Sequence, residues 1–223
     1  MTGTHGTKRN GAPSETSAPS FEEVTPPPAD APTAAETAAH RNVGDYVVYR
    51  FTGSFHKAPM TLTQKVIDRQ ASVLTIDVTL DDAGKKETFR IKTDETSTEK
   101  ALLSVAKLDG TKEIAAKPEA YEAMIAKTVL SADRNDDFLG DEKVTIDVAG
   151  KQVACTKSSF KVLVGRKTAT LHVVASDELA WGDVGGDITT KDGKILYRAE
   201  IVDAGSAKAP AAATTNAIAT TDE

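Results

Sequence analysis

The single cysteine and the four histidines are the residues that most readily suggest catalysis. Cys155 could act as a nucleophile with His172 as its base, because both lie in predicted strands that the fold could bring together. Val153 and Cys155 alternate on one strand face, however, which favours Cys155 as a small buried hydrophobic residue. No two histidines have zinc-site spacing, and there is no second cysteine to join them. We therefore expect a protein that is not an enzyme and uses no cofactor.

An acidic stretch, ADRNDDFLGDEK, holds the weak candidates for a metal site. Asp133, Asn135 and Asp137 have the first, third and fifth positions of a calcium loop. The sixth position is Phe138 in place of glycine, and the twelfth is Val144 in place of glutamate. We therefore predict a solvated loop after a helix, and no metal.

The stretch WGDVGGDITTKDGKILYRAEIVDAG, residues 181–205, holds the only tryptophan and five of the fifteen glycines. These glycines match neither G-x-G-x-x-G nor a P-loop, and they precede a strand, whereas a phosphate loop opens a helix. The stretch therefore indicates turns, with Asp192-Gly193 as a type I′ hairpin turn. Trp181 is predicted to anchor the core or its rim. The alternative is that it covers a cavity.

Alternation with a period of two dominates the middle of the chain. In VLTIDVTL, the apolar residues Leu74, Ile76, Val78 and Leu80 share one face. Similar patterns recur in DYVVYRF, MTLTQKVID, ETFRIKT, LLSVAKL and TKEIA, and again after residue 143. The sequence predicts about nine or ten strands, with a hairpin turn at Asp109-Gly110.

One helix is predicted in KPEAYEAMIAKTVLSAD, with Pro118 at its first position. Tyr121, Met124, Ile125 and Val129 form an apolar stripe that should lie on a sheet. Short links between strands favour antiparallel hairpins. The fold class is therefore mainly β (α+β), a curled antiparallel sheet or incomplete barrel with one main helix packed on it.

Composition divides the chain into three parts. Residues 1–42 are predicted to be a disordered Thr/Ala/Pro/Ser-rich tail, residues 43–205 a single β-rich globular domain, and residues 206–223 a disordered Ala/Thr-rich tail. The net charge is −6, and charges of both signs are well mixed in the middle of the chain. No basic stripe is interleaved with aromatic residues, which argues against nucleic acid as a partner. No run approaches eighteen apolar residues, so we expect no transmembrane span.

The N-terminal tail bears on localisation. MTGTHGTKRN has no apolar region behind its charges, which taken literally indicates the cytoplasm. A Thr/Ser/Pro/Ala tail ahead of a β-rich domain is, however, typical of bacterial surface lipoproteins. If the given start is not native, the expected location is the cell envelope, either periplasmic or tethered to the outer membrane.

The ending, W-G-D-V-G-G-x-I followed by Y-R-A-E-I-V-D-A-G, resembles uncharacterised bacterial envelope lipoproteins. The layout of residues 43–205 also resembles periplasmic lipoprotein-carrier proteins. That resemblance implies an incomplete barrel whose mouth is covered by a helix, with an apolar cavity for acyl chains. No functional residue can be carried over from it.

Two binding hypotheses follow. In the first, a lipid or other apolar ligand occupies the curl of the sheet. Its candidate lining residues are Tyr49, Phe51, Phe89, Tyr121, Met124, Phe160 and Trp181, each of which could instead be ordinary core. In the second, an exposed edge such as YVVYRF or the last strand, or an apolar sheet face, binds a protein partner.

Overall fold

The computed structural model describes residues 41–96 and 101–206. This part of the chain forms eleven strands and one helix. The predicted tails, residues 1–42 and 206–223, lie outside the described residues except for Arg41, Asn42 and Ser206. The strands are β1 (Asp45–Thr52), β2 (Met60–Gln70), β3 (Val73–Asp82), β4 (Lys85–Asp94), β5 (Leu102–Asp109), β6 (Lys112–Ala115), β7 (Arg134–Val148), β8 (Lys151–Val164), β9 (Lys167–Ala175), β10 (Asp183–Thr190) and β11 (Ile195–Ser206).

All eleven strands belong to one antiparallel sheet, in the order β6-β5-β4-β3-β2-β1-β11-β10-β9-β8-β7. Two meanders are therefore joined where β1 pairs with β11. The predicted class, mainly β with a curled antiparallel sheet and one main helix, is confirmed. The predicted count of nine or ten strands is wrong, because strands also occupy stretches that were predicted as loop and turn.

The predicted inward faces are confirmed. Leu74, Ile76, Val78 and Leu80 are all at most 2% exposed. Alternating side chains of β1 are buried in the same way, and residues from both meanders share the main hydrophobic core. β7 also contacts β11 although the two strands are not hydrogen-bonded, so the sheet curls toward itself without closing.

The helix α1 (Pro118–Ala126) begins at proline as predicted, but it is shorter than predicted. The backbone N–H and the hydroxyl of Thr128 both donate to the carbonyl of Ile125, at 2.8 and 2.7 Å, and no helical turn follows them. Val129 therefore lies beyond the helix and is 46% exposed, so its place in the apolar stripe was wrongly predicted. Met124 is 1% exposed and holds the helix against the concave face of the sheet.

Two glycines predicted to lie in turns are paired inside β10. A Cβ on Gly185 would lie 2.2 Å from the carbonyl oxygen of Ala199 in β11, and one on Gly186 would lie 2.1 Å from that of His172 in β9. These glycines allow β10 to lie unusually close to both neighbouring strands. The turn at Asp192-Gly193 is present, but four residues, 191–194, separate β10 from β11 instead of two.

Candidate functional site

The concave side of the curled sheet holds a cavity of about 470 Å³. Its walls come from β1 to β5, from β11, from α1, from the start of β10 and from the segments that precede β1, follow the helix and precede β10. The lining residues are Arg41, Tyr49, Phe51, Leu62, Gln64, Ile76, Ile91, Thr93, Leu102, Tyr121, Glu122, Thr128, Val129, Trp181, Asp183, Tyr197 and Ala199. The cavity wall therefore combines eleven apolar or aromatic residues with six polar or charged ones.

Three aromatic rings form a continuous part of this wall. The centroids of Tyr49 and Phe51 are 6.4 Å apart, and those of Phe51 and Tyr197 are 6.3 Å apart. Tyr49 and Phe51 share one face of β1 because they are two residues apart. Tyr197 reaches them because Phe51 pairs with Ala199 of β11. The contact between β1 and β11 therefore builds the aromatic wall.

The two wall tyrosines have hydrogen-bonded hydroxyl groups. Tyr49 donates to the carbonyl oxygen of Asp183, and Tyr197 to that of Thr128, each at 2.9 Å. Burial, followed by the charge of Asp183, raises the pKa of Tyr49 well above its usual range and that of Tyr197 to about 12. Both phenols are therefore neutral near neutral pH, and they present their rings to the cavity as apolar surface.

A cluster of charges lies at one rim of the cavity. The Arg41 guanidinium carbon is 5.0 Å from the Trp181 ring centroid. Arg41 Nε donates to Glu95 Oε1 at 3.1 Å, and Arg69 Nη1 lies 3.0 Å from Glu95 Oε2. Arg69 also donates to the carbonyl oxygen of Arg41. These contacts hold Arg41 and Trp181 together at the mouth.

The structure brings four of the seven proposed ligand-binding residues to this cavity: Tyr49, Phe51, Tyr121 and Trp181. Phe89 and Met124, each 1% exposed, lie in the main core instead. Phe160 lies in a second hydrophobic cluster, with its ring 5.4 Å from that of Phe138.

Sequence analysis missed Arg41, Glu122, Asp183 and Tyr197 as lining residues. Tyr197 carried a usable signal, since it alternates with Ile195 in the last predicted strand. No local pattern indicated that this strand would pair with β1. Arg41 had been assigned to the tail, which hid its contact with Trp181.

The suggested pair of Cys155 and His172 does not form. Ser159 pairs with His172 across β8 and β9, and its hydroxyl lies 2.9 Å from His172 Nδ1. Cys155 is four residues further along β8, roughly 13 Å away at the rise of a strand. Cys155 is 3% exposed, and burial raises the pKa of its thiol. The structure thus supports the buried hydrophobic role for Cys155.

Two of the metal candidates have partners of their own. Asp133 Oδ2 accepts a hydrogen bond from the backbone N–H of Gly165, and Asp137 forms an ion pair with Lys161 at 3.2 Å. Within the ranges that the structure describes, no group of three His, Cys, Asp or Glu residues could hold a metal. The prediction of a loop here was wrong, because β7 begins at Arg134, inside the acidic stretch.

The two edges suggested for a partner strand are not edges. YVVYRF lies in β1 and the last strand is β11, and these two strands pair with each other at the centre of the sheet. The sheet edges among the described strands are β6 and β7. In the described ranges, no helix is long and apolar enough to cross a bilayer.

Comparisons with known proteins show a weak resemblance at the level of the fold. No protein-family model and no curated protein matches the chain. MucB is 9% identical, with a TM-score of 0.45, over 83% of this chain and 61% of the MucB chain. The hypothetical protein CT021 from Chlamydia trachomatis is 9% identical, with a TM-score of 0.41, over 75% of this chain and 90% of its own. An exported protein with a YmcC-like fold from Bacteroides fragilis NCTC 9343 is 10% identical, with a TM-score of 0.38, over 75% and 98%.

Proposed function

We propose that this chain is a non-enzymatic binding domain that holds a small lipid or other largely apolar ligand in the curl of its sheet. The observation that carries the proposal is the cavity of about 470 Å³ with its wall of Tyr49, Phe51 and Tyr197. Ligand sites in proteins are typically concave, about 300–1,000 Å³ in volume and mostly apolar, with a few placed polar groups.

The energetic argument rests on the wall. The hydroxyls of Tyr49 and Tyr197 already bond backbone carbonyls, so an apolar ligand need not strip water from them. Each methylene group that such a ligand buries contributes about 0.8 kcal/mol. The described lining includes no cysteine, serine or histidine, so it holds no Ser–His or Cys–His pair for nucleophilic catalysis.

Trp181 provides the assay, because it is the only tryptophan and it lines the cavity. The full chain is purified without detergent, and native mass spectrometry is run before and after organic extraction. A discrete added mass that disappears on extraction, together with a change in Trp181 fluorescence, is the expected result.

A cavity-filling variant makes the test specific. Ala199→Phe places a large ring in the cavity, whereas Val173→Phe places one on an exposed position of β9 outside it. We expect the first variant to lose the added mass and the second to keep it. Equal ligand recovery from both variants would contradict the proposal.

The proposed setting is the bacterial cell envelope, with a lipoprotein-like tether. Its support is the Thr/Ala/Pro/Ser-rich composition of residues 1–42, which is typical of linkers that cannot bury a core. Fractionation of native cells tests it. Recovery of the protein with the envelope is expected, and recovery only in the cytosol would refute it.

A protein-interaction role is the second candidate, favoured by the edge strand β7. Phe138 and Leu139 of this strand are 60% and 56% exposed, and β7 pairs only with β8. Unpaired backbone groups of an edge strand can pair with an extended segment of another protein. Asp141 and Glu142 follow on the same strand and would favour basic residues in that segment.

Binding of basic, apolar peptides from a random library tests this second role. Leu139→Lys should weaken such binding, whereas Val202→Lys, at an exposed position of the central strand β11, should leave it unchanged. A library that yields no peptide sensitive to Leu139→Lys would argue against it.

A further inference from the structure

Acidic residues outnumber basic residues in the described lining of the cavity. Arg41 is the basic residue among its described lining residues. It lies against Trp181 and is paired with Glu95, and the side chains of Arg41 and Glu95 are only 12% and 18% exposed. Arg41 shares the Glu95 carboxylate with Arg69, so these three side chains keep one positive charge at the rim. The contact of Arg41 with Trp181 shows that the rim accommodates a cation on an aromatic face.

Two carboxylates, Glu122 of α1 and Asp183 of β10, also line the cavity. After burial, the charge of Asp183 raises the pKa of both Tyr49 and Tyr197, whereas the charge of Arg41 lowers the pKa of Tyr49. The described lining therefore holds two carboxylates against one arginine, which gives it a net negative charge.

The aromatic wall also favours a cation. The rings of Tyr49 and Phe51 are inclined by 26°, and those of Phe51 and Tyr197 by 32°. The face of an aromatic ring carries the negative part of its quadrupole and attracts ammonium groups, most strongly where water is excluded.

We infer that the cavity selects ligands in which an apolar body carries an amine or quaternary ammonium group. The inference rests on the proposed binding function and names the ligand class. The apolar body would lie along the wall of Tyr49, Phe51 and Tyr197, with its cation near the carboxylates of Glu122 and Asp183.

Three probes of equal chain length test the inference on the full chain: nonyltrimethylammonium, 1-nonanol and nonanoate, each below its micellar concentration. Affinity is measured by Trp181 fluorescence and by titration calorimetry. We expect the ammonium probe to bind about tenfold more tightly than the alcohol, which corresponds to about 1.4 kcal/mol. Nonanoate should bind most weakly, and added salt should reduce the difference.

Paired variants on one helix isolate the carboxylate. Glu122→Gln removes a lining charge, and Glu119→Gln removes an exposed charge one turn earlier that does not line the cavity. The first should weaken binding of the ammonium probe about threefold, as expected for an exposed charge, and the second should leave it unchanged. Equal effects of the two variants would overturn the role of Glu122.

The other outcomes separate this inference from the function on which it rests. Equal affinity for all three probes would overturn charge selection and leave the apolar site in place. Tightest binding of nonanoate, lost in Arg41→Gln, would overturn the inference in favour of an anion site at the rim. Both the inference and the proposed function would be refuted if no probe bound and Ala199→Phe did not change the added mass in native mass spectrometry.

Discussion

Replacement of Gly186 by alanine should destabilise the protein through backbone crowding alone. The new Cβ would lie 2.1 Å from the carbonyl oxygen of His172 and 3.3 Å from the Cα of Val173. Carbon and oxygen atoms of neighbouring strands normally approach to about 3.3 Å, so roughly 1.2 Å of separation is missing. The crowded atom belongs to the backbone of β9 and cannot rotate away, so the strand itself must move.

The expected loss of stability can be judged from the cost of overpacking in other proteins. Extra methyl groups in well-packed interiors cost about 1–3 kcal/mol, and a clash with backbone should reach the upper end, about 3 kcal/mol. Gly165→Ala is the matched control. Gly165 has φ of 61°, but nothing lies within 4 Å of its added Cβ, so the variant costs only the left-handed conformation, about 1 kcal/mol.

Urea unfolding followed by circular dichroism measures both variants. With a slope of about 2 kcal/mol/M, Gly186→Ala should lower the midpoint by about 1.5 M and Gly165→Ala by about 0.5 M, with unchanged slopes. A midpoint for Gly186→Ala equal to or above that of Gly165→Ala would refute the steric argument. It would also mean that β9 and β10 separate at little cost.

Three further predictions concern the core and the site. Met124→Ala should cost about 2–5 kcal/mol in urea unfolding, whereas Leu103→Ala, at a 54% exposed position, should cost under about 0.5 kcal/mol. Tyr197→Phe should cost about 1–2 kcal/mol in the same assay, because the carbonyl oxygen of Thr128 loses its donor. Burial lowers the pKa of His56 below 6.5, so stability should fall as pH drops from about 6.5 through the folded-state pKa, and His56→Gln should reduce that dependence in unfolding curves at pH 8 and pH 5.

The faces of individual strands could be predicted from sequence because side chains alternate with a fixed period. Leu74 and Ile76 on one strand and Val47 on another are buried as their spacing requires. The same reasoning did not predict the end of α1. Helical spacing continues to Val129, but the bonds of Thr128 to Ile125 end the helix before it.

Gly185 and Gly186 show a second limit. A pair of glycines indicates either a turn or a close approach of two backbones, and a single sequence does not distinguish them. The distinction depends on β9 and β11, which flank β10 on both sides. Turn chemistry was therefore a correct interpretation at Gly182, which has φ of 71° and lies before β10, and a wrong one within the strand.

The cavity depends on one long-range pairing that no local pattern encodes. Phe51 lies opposite Ala199, and this register places Tyr197 beside the rings of β1. Loss of that pairing would leave Tyr49 and Phe51 on a half-sheet without the second wall, while most strand faces stayed intact.

Residues that suit a core and residues that line the cavity therefore look alike in sequence. Phe89 and Phe51 both lie at positions that the alternating pattern places on the inner face. Phe89 packs edge-to-face against Tyr121 of the helix, with ring centroids 6.2 Å apart. Phe51 instead lines the cavity at the β1–β11 junction. The site is a property of how the two meanders meet. Mutations at that junction should therefore alter the proposed ligand binding even where the strands themselves still form.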